Sequence, residues 1–165
     1  MVKSTRLPFP NDAVVALKAV VRGVVDGRLS AADCRLLLCV RVLETLATAA
    51  IAFATLSSVR TILAALRPLA AAWLGAVSEE RVIWAFQTSE RWQQGRGRCL
   101  ARALAAEVLL EQATDRPRLV IGVAAPADGA LRSHAWIERH GRVLIGGAES
   151  APRYVSLVSW SVGAR

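Results

Sequence analysis

Two side chains in this sequence have the types and the setting that nucleophilic catalysis requires, and Cys99 is the first. It follows the glycine-rich segment QQGRGR and opens CLARALAAEVLL, a segment typical of a helix. The dipole at a helix N-terminus favours a thiolate, and Arg96, Arg98 and Arg102 add positive charge nearby. The N–H groups of the first turn could also hold an oxyanion. A packed and unreactive thiol is the alternative for Cys99 taken alone.

The chain has two histidines, and one of them is well placed to act as a base. His134 lies in LRSHAWIE, a predicted strand on which it shares a face with Trp136 and Glu138. Deprotonating a thiol near neutral pH calls for an imidazole within hydrogen-bonding distance. His140 falls in the turn RHGR beside Gly141 and is expected to be exposed. A structural role in the hairpin is the alternative for His134.

The hydrophobic periodicity predicts helices first and a sheet afterwards. Helices are expected over residues 13–25, in an apolar stretch that runs to about Leu66, in a short segment to Leu74, at SEERVIWAFQTSERW, and from Cys99 onward. The period then changes to two, and RLVIGVAA, LRSHAWIE, RVLIG and RYVSLVSWSV are predicted strands. The fold class is therefore α+β, in which a nucleophile helix packs on an antiparallel sheet.

Composition and charge narrow the class of protein. The chain has 165 residues, a formal net charge of +8 and three cysteines without a C-x-x-C pair, so neither a disulfide framework nor a zinc site is indicated. A reducing cytoplasm suits this cysteine usage, and contact with a membrane surface stays open. Residues 45–59 carry no charge, but a spanning helix needs about 20 residues. A buried or membrane-touching helix is the interpretation of that segment.

Three stretches together resemble one known family. GRCLARALAAEVLL, LVIGVAA and SHAWIERHGRVL place a cysteine at a helix start, then a buried strand, then His-Ala-Trp at the head of a hairpin. They resemble the lasso peptide biosynthesis B proteins, which are leader peptidases with a transglutaminase-like fold, over about residues 80–160. The resemblance implies a helical N-terminal region over residues 1–78 and a transglutaminase-like cysteine peptidase core over residues 79–165. It also implies that Cys99 attacks the peptide bond at the end of a precursor's leader and that His134 is its base.

The third member of the triad is where the sequence departs from that family. The family pattern has an aspartate on the return strand, and pairing around the turn puts Gly146 roughly opposite His134. No aspartate follows His134 in the sequence. Glu149 is the candidate third member because it is the nearest acid beyond Gly146, whereas Glu138 belongs to the HAW-x-E pattern. A backbone carbonyl or a water molecule could orient the imidazole instead.

The resemblance also implies partners. These are a precursor peptide, an ATP-dependent macrolactam synthetase and a separate leader-recognition protein, since residues 1–75 are predicted to be helical throughout. The apolar helices at residues 35–66 either dock a partner or complete the protein's own core. No cofactor and no metal are expected.

Two other functions stay open. A transglutaminase-like acyltransferase or amidase would use the same nucleophile and base with an amine as acceptor. A non-enzymatic basic binding module would use the charge alone. Dispersed arginines and an aromatic content of 5% argue against a nucleic-acid partner.

Overall fold

The computed structural model describes residues 29–92, 98–110, 117–124, 131–147 and 153–161, together with Lys18, Arg22, Gly23 and Gly27. The elements over these ranges are α1 (Ala31–Phe53), α2 (Leu56–Ala64), α3 (Arg67–Leu74), α4 (Glu79–Trp92), α5 (Cys99–Leu110), β1 (Arg118–Ala124), β2 (Arg132–Arg139), β3 (Arg142–Ile145) and β4 (Val155–Ser161). Helices precede the sheet along the chain, so the α+β prediction is confirmed. The helix expected over residues 13–25 lies largely outside the described residues.

Side-chain caps set the bounds of the N-terminal helices. Ser30 caps α1: its Oγ accepts from the Asp33 N–H at 3.1 Å, and the Asp33 carboxylate accepts from the Ser30 N–H at 2.9 Å. Thr55 caps α2 by accepting from the Ser58 N–H at 3.3 Å. The apolar stretch expected to run to about Leu66 is therefore split, because Thr55 offers the chain a new helix start.

α5 is the central helix of the core. Nearly all its side chains are buried, and α1 and β2 are its main neighbours. The core cluster also contains Leu37 and Val40 from α1 together with Leu119 and Ile137 from the sheet. The expected division between residues 78 and 79 stays a prediction; described residues on both sides of it contribute to this one cluster.

The sheet has the order β3-β2-β1-β4, and every neighbouring pair is antiparallel. His140 and Gly141 form the two-residue turn between β2 and β3, with φ of 47° and 75°, as such tight turns require. A bulge at Ile137/Glu138 shifts the pairing of β3 by one residue and sets Ile145 opposite Ile137. This shift determines which of the residues after β3 lie beside the first residues of β2.

One side of α1 is buried and the other is open. Leu38, Val42 and Leu46 are exposed on α1, and Leu69 and Trp73 are exposed on α3. Between the two helices lies an open apolar groove of about 510 Å³. α1 is also long and apolar enough to cross a membrane, although the core helix of a soluble protein meets the same criterion.

Candidate active site

Cys99 and His134, the two residues predicted to form the catalytic pair, lie side by side. Cys99 is the first residue of α5, whose first helical hydrogen bond joins the Arg102 N–H to the Arg98 carbonyl at 2.9 Å. The Cys99 sulfur is hydrogen-bonded by the His134 side chain and by the backbone N–H groups of Ala135 and Leu100. The helix and β2 thus bring the thiol and the imidazole together, and both side chains are partly accessible.

These contacts move the two pKa values in opposite directions. Burial is the largest single influence on the pKa of Cys99 and would raise it. The hydrogen bonds from His134, Ala135 and Leu100 and the charge of His134 together outweigh burial and lower that pKa. The hydrogen bond to Cys99 is the largest influence on His134; it raises the pKa of the imidazole above 6.5 against the effect of burial. Both shifts favour a thiolate facing an imidazolium.

The second nitrogen of the imidazole meets the main chain. His134 Nε2 lies 2.6 Å from the carbonyl oxygen of Gly146, which leaves Nδ1 for the thiol. Gly146 has φ of 110°, and a Cβ there would stand 2.7 Å from Trp136 Cβ and 3.1 Å from the Ala135 carbonyl oxygen. Only glycine fits this position without displacing its neighbours. The carbonyl therefore contacts the nitrogen for which the sequence analysis expected a carboxylate partner.

Aromatic rings surround the imidazole on the same face of the sheet. The ring centroid of Tyr154 lies 5.2 Å from that of His134, and Trp136 lies at 6.0 Å with its ring nearly parallel. Gly122 of β1 is paired with His134, and a Cβ on it would stand 2.9 Å from both Trp136 Cη2 and Tyr154 Cβ. Because Gly122 has no side chain, the two aromatic residues can close over it.

The sequence did not indicate that Tyr154 lies at the site or why position 122 is a glycine. A glycine inside a buried strand often marks the close approach of another group, so Gly122 did carry a signal. Tyr154 carried little, because one tyrosine at the start of a strand is unremarkable.

Glu149 and Glu138, the acidic residues considered as partners of His134, have different outcomes. Glu149 lies outside the described residues, so its role as third member stays a prediction. Glu138 accepts a hydrogen bond from Trp136 Nε1 at 3.0 Å and so fixes the indole. His140 is exposed in its turn, as expected.

The expectation about the arginines is wrong for Arg102. Its side chain is buried and bonds to Glu44 at 3.3 Å and to Glu90 at 2.5 Å, so two carboxylates neutralise its charge. Arg96 lies outside the described residues. The sequence placed Arg102 near the thiol but gave no sign of its partner on α1.

The other cysteines lack this setting. All three cysteines are free, and Cys39 is buried, where desolvation raises the pKa of its thiol. Cys34 is partly buried on α1. Among the described residues, no group of three or more histidine, cysteine or acidic side chains could hold a metal ion.

The fold and the site together define a structural class of protein, in which a cysteine at the start of a buried helix faces a histidine on an antiparallel sheet. The family model of the transglutaminase-like superfamily matches residues 40–159. The chain belongs to this superfamily, whose fold covers cysteine peptidase and acyltransferase activities. A search of curated proteins found no match. A search of solved structures found none either.

Proposed function

We propose that this protein is a cysteine peptidase that removes the leader from a ribosomally made lasso peptide precursor before the macrolactam is closed. The observation that carries the chemistry is the hydrogen-bonded pair of Cys99 and His134, with their pKa values shifted toward the ion pair. The substrate class is supported by the resemblance of GRCLARALAAEVLL and SHAWIERHGRVL to the lasso B proteins. The three free cysteines are consistent with action in a reducing cytoplasm.

In the proposed reaction, the Cys99 thiolate attacks the carbonyl carbon of the scissile bond. The S–C bond forms as the carbonyl π pair moves onto oxygen, and N–H groups of the first turn of α5 stabilise that oxyanion. When the oxyanion collapses, the C–N bond breaks and the His134 imidazolium gives its proton to the departing amine. Neutral His134 then takes a proton from the water that attacks the thioester. The second collapse breaks the C–S bond, releases the carboxylic acid and restores the thiolate–imidazolium pair.

The proposal includes a separate leader-recognition protein and an ATP-dependent macrolactam synthetase. The apolar groove between α1 and α3 supports a partner, because apolar side chains such as Val42, Leu46 and Trp73 stand open to solvent there. Contiguous exposed apolar surface is characteristic of protein-interaction sites. We assign this groove to the leader-recognition protein.

The test uses the precursor peptide and the leader-binding protein that we expect to be encoded beside the gene of this chain. Mass spectrometry should detect cleavage at the leader–core junction, slow with the chain alone and faster once the leader-binding protein is added. Cys99→Ala and His134→Ala should abolish it, whereas His140→Ala, a matched change in the exposed turn, should leave most of it. Cleavage by His134→Ala at the wild-type rate would contradict the mechanism.

The same reaction separates hydrolysis from acyl transfer. A small primary amine is added in excess, and the mass of the released leader is measured. A free carboxylic acid supports the peptidase, and an amide of the added amine as main product would assign the chain to the acyltransferases of its superfamily.

A further inference from the structure

We infer that the His134 imidazole is positioned by the main-chain carbonyl of Gly146 and the ring of Tyr154, and that no carboxylate among the described residues is hydrogen-bonded to it. The Glu90 carboxylate on α4 raises the pKa of the imidazole by its charge, but it bonds to Arg102. The inference rests on the proposed role of His134 as the base for Cys99. It makes Tyr154 a positioning residue, since its contact is with His134 and it acts through that side chain.

The Gly146 carbonyl fixes the tautomer. A carbonyl oxygen only accepts hydrogen bonds, so at 2.6 Å it requires a proton on His134 Nε2. Neutral His134 then has its lone pair on Nδ1, the nitrogen left for the thiol. A carbonyl is a dipole and not a full charge, so it holds the ring in this state while stabilising the imidazolium less than a carboxylate would.

The bulge in the β2–β3 hairpin explains why the carbonyl reaches this nitrogen. Because Ile145 pairs with Ile137, Gly146 falls against Trp136, one residue along from its pairing in a regular hairpin. The contact between its absent Cβ and Trp136 excludes an aspartate there. The main chain then supplies the acceptor, and its conformation depends on glycine.

Tyr154 restrains the plane of the ring. It directly precedes β4, the strand on the far side of β1 from His134, and meets the imidazole only because Gly122 leaves the space between them free. Trp136 is buried and its indole is fixed by Glu138. A ring bounded by these two aromatic residues has little freedom to turn away from Cys99.

The first experiment reads the tautomer directly. The Cys99→Ala protein, labelled with ¹⁵N-histidine, is examined by NMR above the pH at which His134 deprotonates; His140→Gln in the same protein removes the second histidine signal. We expect the proton on Nε2. A proton on Nδ1, or a rapidly exchanging mixture of both tautomers, would overturn the inference.

The second experiment follows the pH profile of Cys99 alkylation by iodoacetamide. Tyr154→Leu should lower the rate at pH 7 roughly 2- to 10-fold, the range for one aromatic contact, and shift the profile toward higher pH. Tyr154→Phe, which keeps the ring, should restore the wild-type profile, and Val155→Thr at an exposed position of β4 should not change it. A wild-type profile for Tyr154→Leu, or a Phe variant as impaired as Leu, would refute the role of Tyr154.

A third variant tests the absence of a carboxylate. Glu149→Gln should leave the alkylation profile and the tautomer unchanged; a shift in either would assign the orienting role to Glu149 instead. None of these measurements uses a peptide substrate, so a failed cleavage assay with an intact tautomer and profile refutes only the proposed substrate. If Tyr154→Leu does not fold, the His134 tautomer in the Cys99→Ala protein still decides the role of Gly146. The role of Tyr154 is then decided by Tyr154→Met in the same alkylation assay.

Discussion

Glu44→Gln should strongly destabilise the protein, because Glu44 is the buried anion that holds the first turn of α5. The Glu44 residue is 5% exposed. Its carboxylate accepts from Ser89 Oγ at 2.9 Å and lies 3.3 Å from both Arg102 Nε and Arg41 Nη1. Arg102 stands one turn after Cys99, so this network joins α1 and α4 to the first turn of α5.

The magnitude follows from what a glutamine cannot do. An amide keeps one acceptor oxygen and replaces the other with an NH₂ donor, which then faces a guanidinium or the Ser89 hydroxyl. Each hydrogen bond to a charged group contributes about 1.5–3 kcal/mol, and removing one partner of a buried ion pair costs about 3–5 kcal/mol. Arg102 keeps Glu90, which is 53% exposed in its side chain, so we expect a loss of about 3 kcal/mol.

Urea denaturation measures this loss, with the slope of the transition checked for constancy. Glu79→Gln is the control: Glu79 pairs with Arg139, and the two side chains are 30% and 19% exposed, so solvent screens this pair more than the Glu44 network and we expect a smaller loss. An Arg102→Gln variant and the double variant complete a thermodynamic cycle for the coupling between Glu44 and Arg102. If Glu44→Gln costs no more than Glu79→Gln, the network does not hold the helix as described.

Three further outcomes are expected. Iodoacetamide should alkylate Cys99 faster than Cys39 at pH 7, because the contacts that lower the pKa of Cys99 keep its thiolate form populated at lower pH. His134→Ala should move the pH profile of Cys99 alkylation to higher pH. Equal labelling of both thiols would contradict this reasoning. Trp73→Arg should abolish stimulation by the leader-binding protein without changing the Cys99 alkylation profile, and unchanged stimulation would remove the groove from the proposal. Gly146→Ala should slow Cys99 alkylation, whereas Gly141→Ala, also at positive φ but with open space around its Cβ, should not; equal rates would show that the contact with Trp136 is unimportant.

The proximity of Cys99 and His134 could be predicted because its signals are local. A cysteine after a glycine-rich loop and before an Ala/Leu-rich segment marks a helix start, and the change of period beyond it marks a sheet. Strand alternation then placed Ala135 and Ile137 on the core face, where both are buried, and His134 on the opposite face. Each step needed only neighbouring residues, apart from the resemblance that linked helix and hairpin.

The remaining parts of the site depend on contacts between distant residues or on the main chain. Arg102 is hydrogen-bonded to Glu44 although 58 positions separate them along the chain, and nothing in either segment of the sequence indicates the pairing. The Gly146 carbonyl has no side-chain signature, and its position depends on a bulge that alters the hairpin register by one residue. A search for an acid after His134 would therefore miss the acceptor that the structure supplies.

The arginines illustrate how far charges read from the sequence can serve as a guide to chemistry. Arg96, Arg98 and Arg102 suggested that the thiol is activated by nearby cations. Arg102, however, pairs with Glu44 and Glu90, and Arg60, Arg81 and Arg139 also pair with carboxylates. The pKa of Cys99 is lowered instead by contact partners: hydrogen bonds from one imidazole and two backbone N–H groups, and the charge of that same, partly buried imidazole. Such donors act over a single contact and salt screens them little. The reactivity of Cys99 should therefore depend on the geometry of His134 and hardly at all on ionic strength.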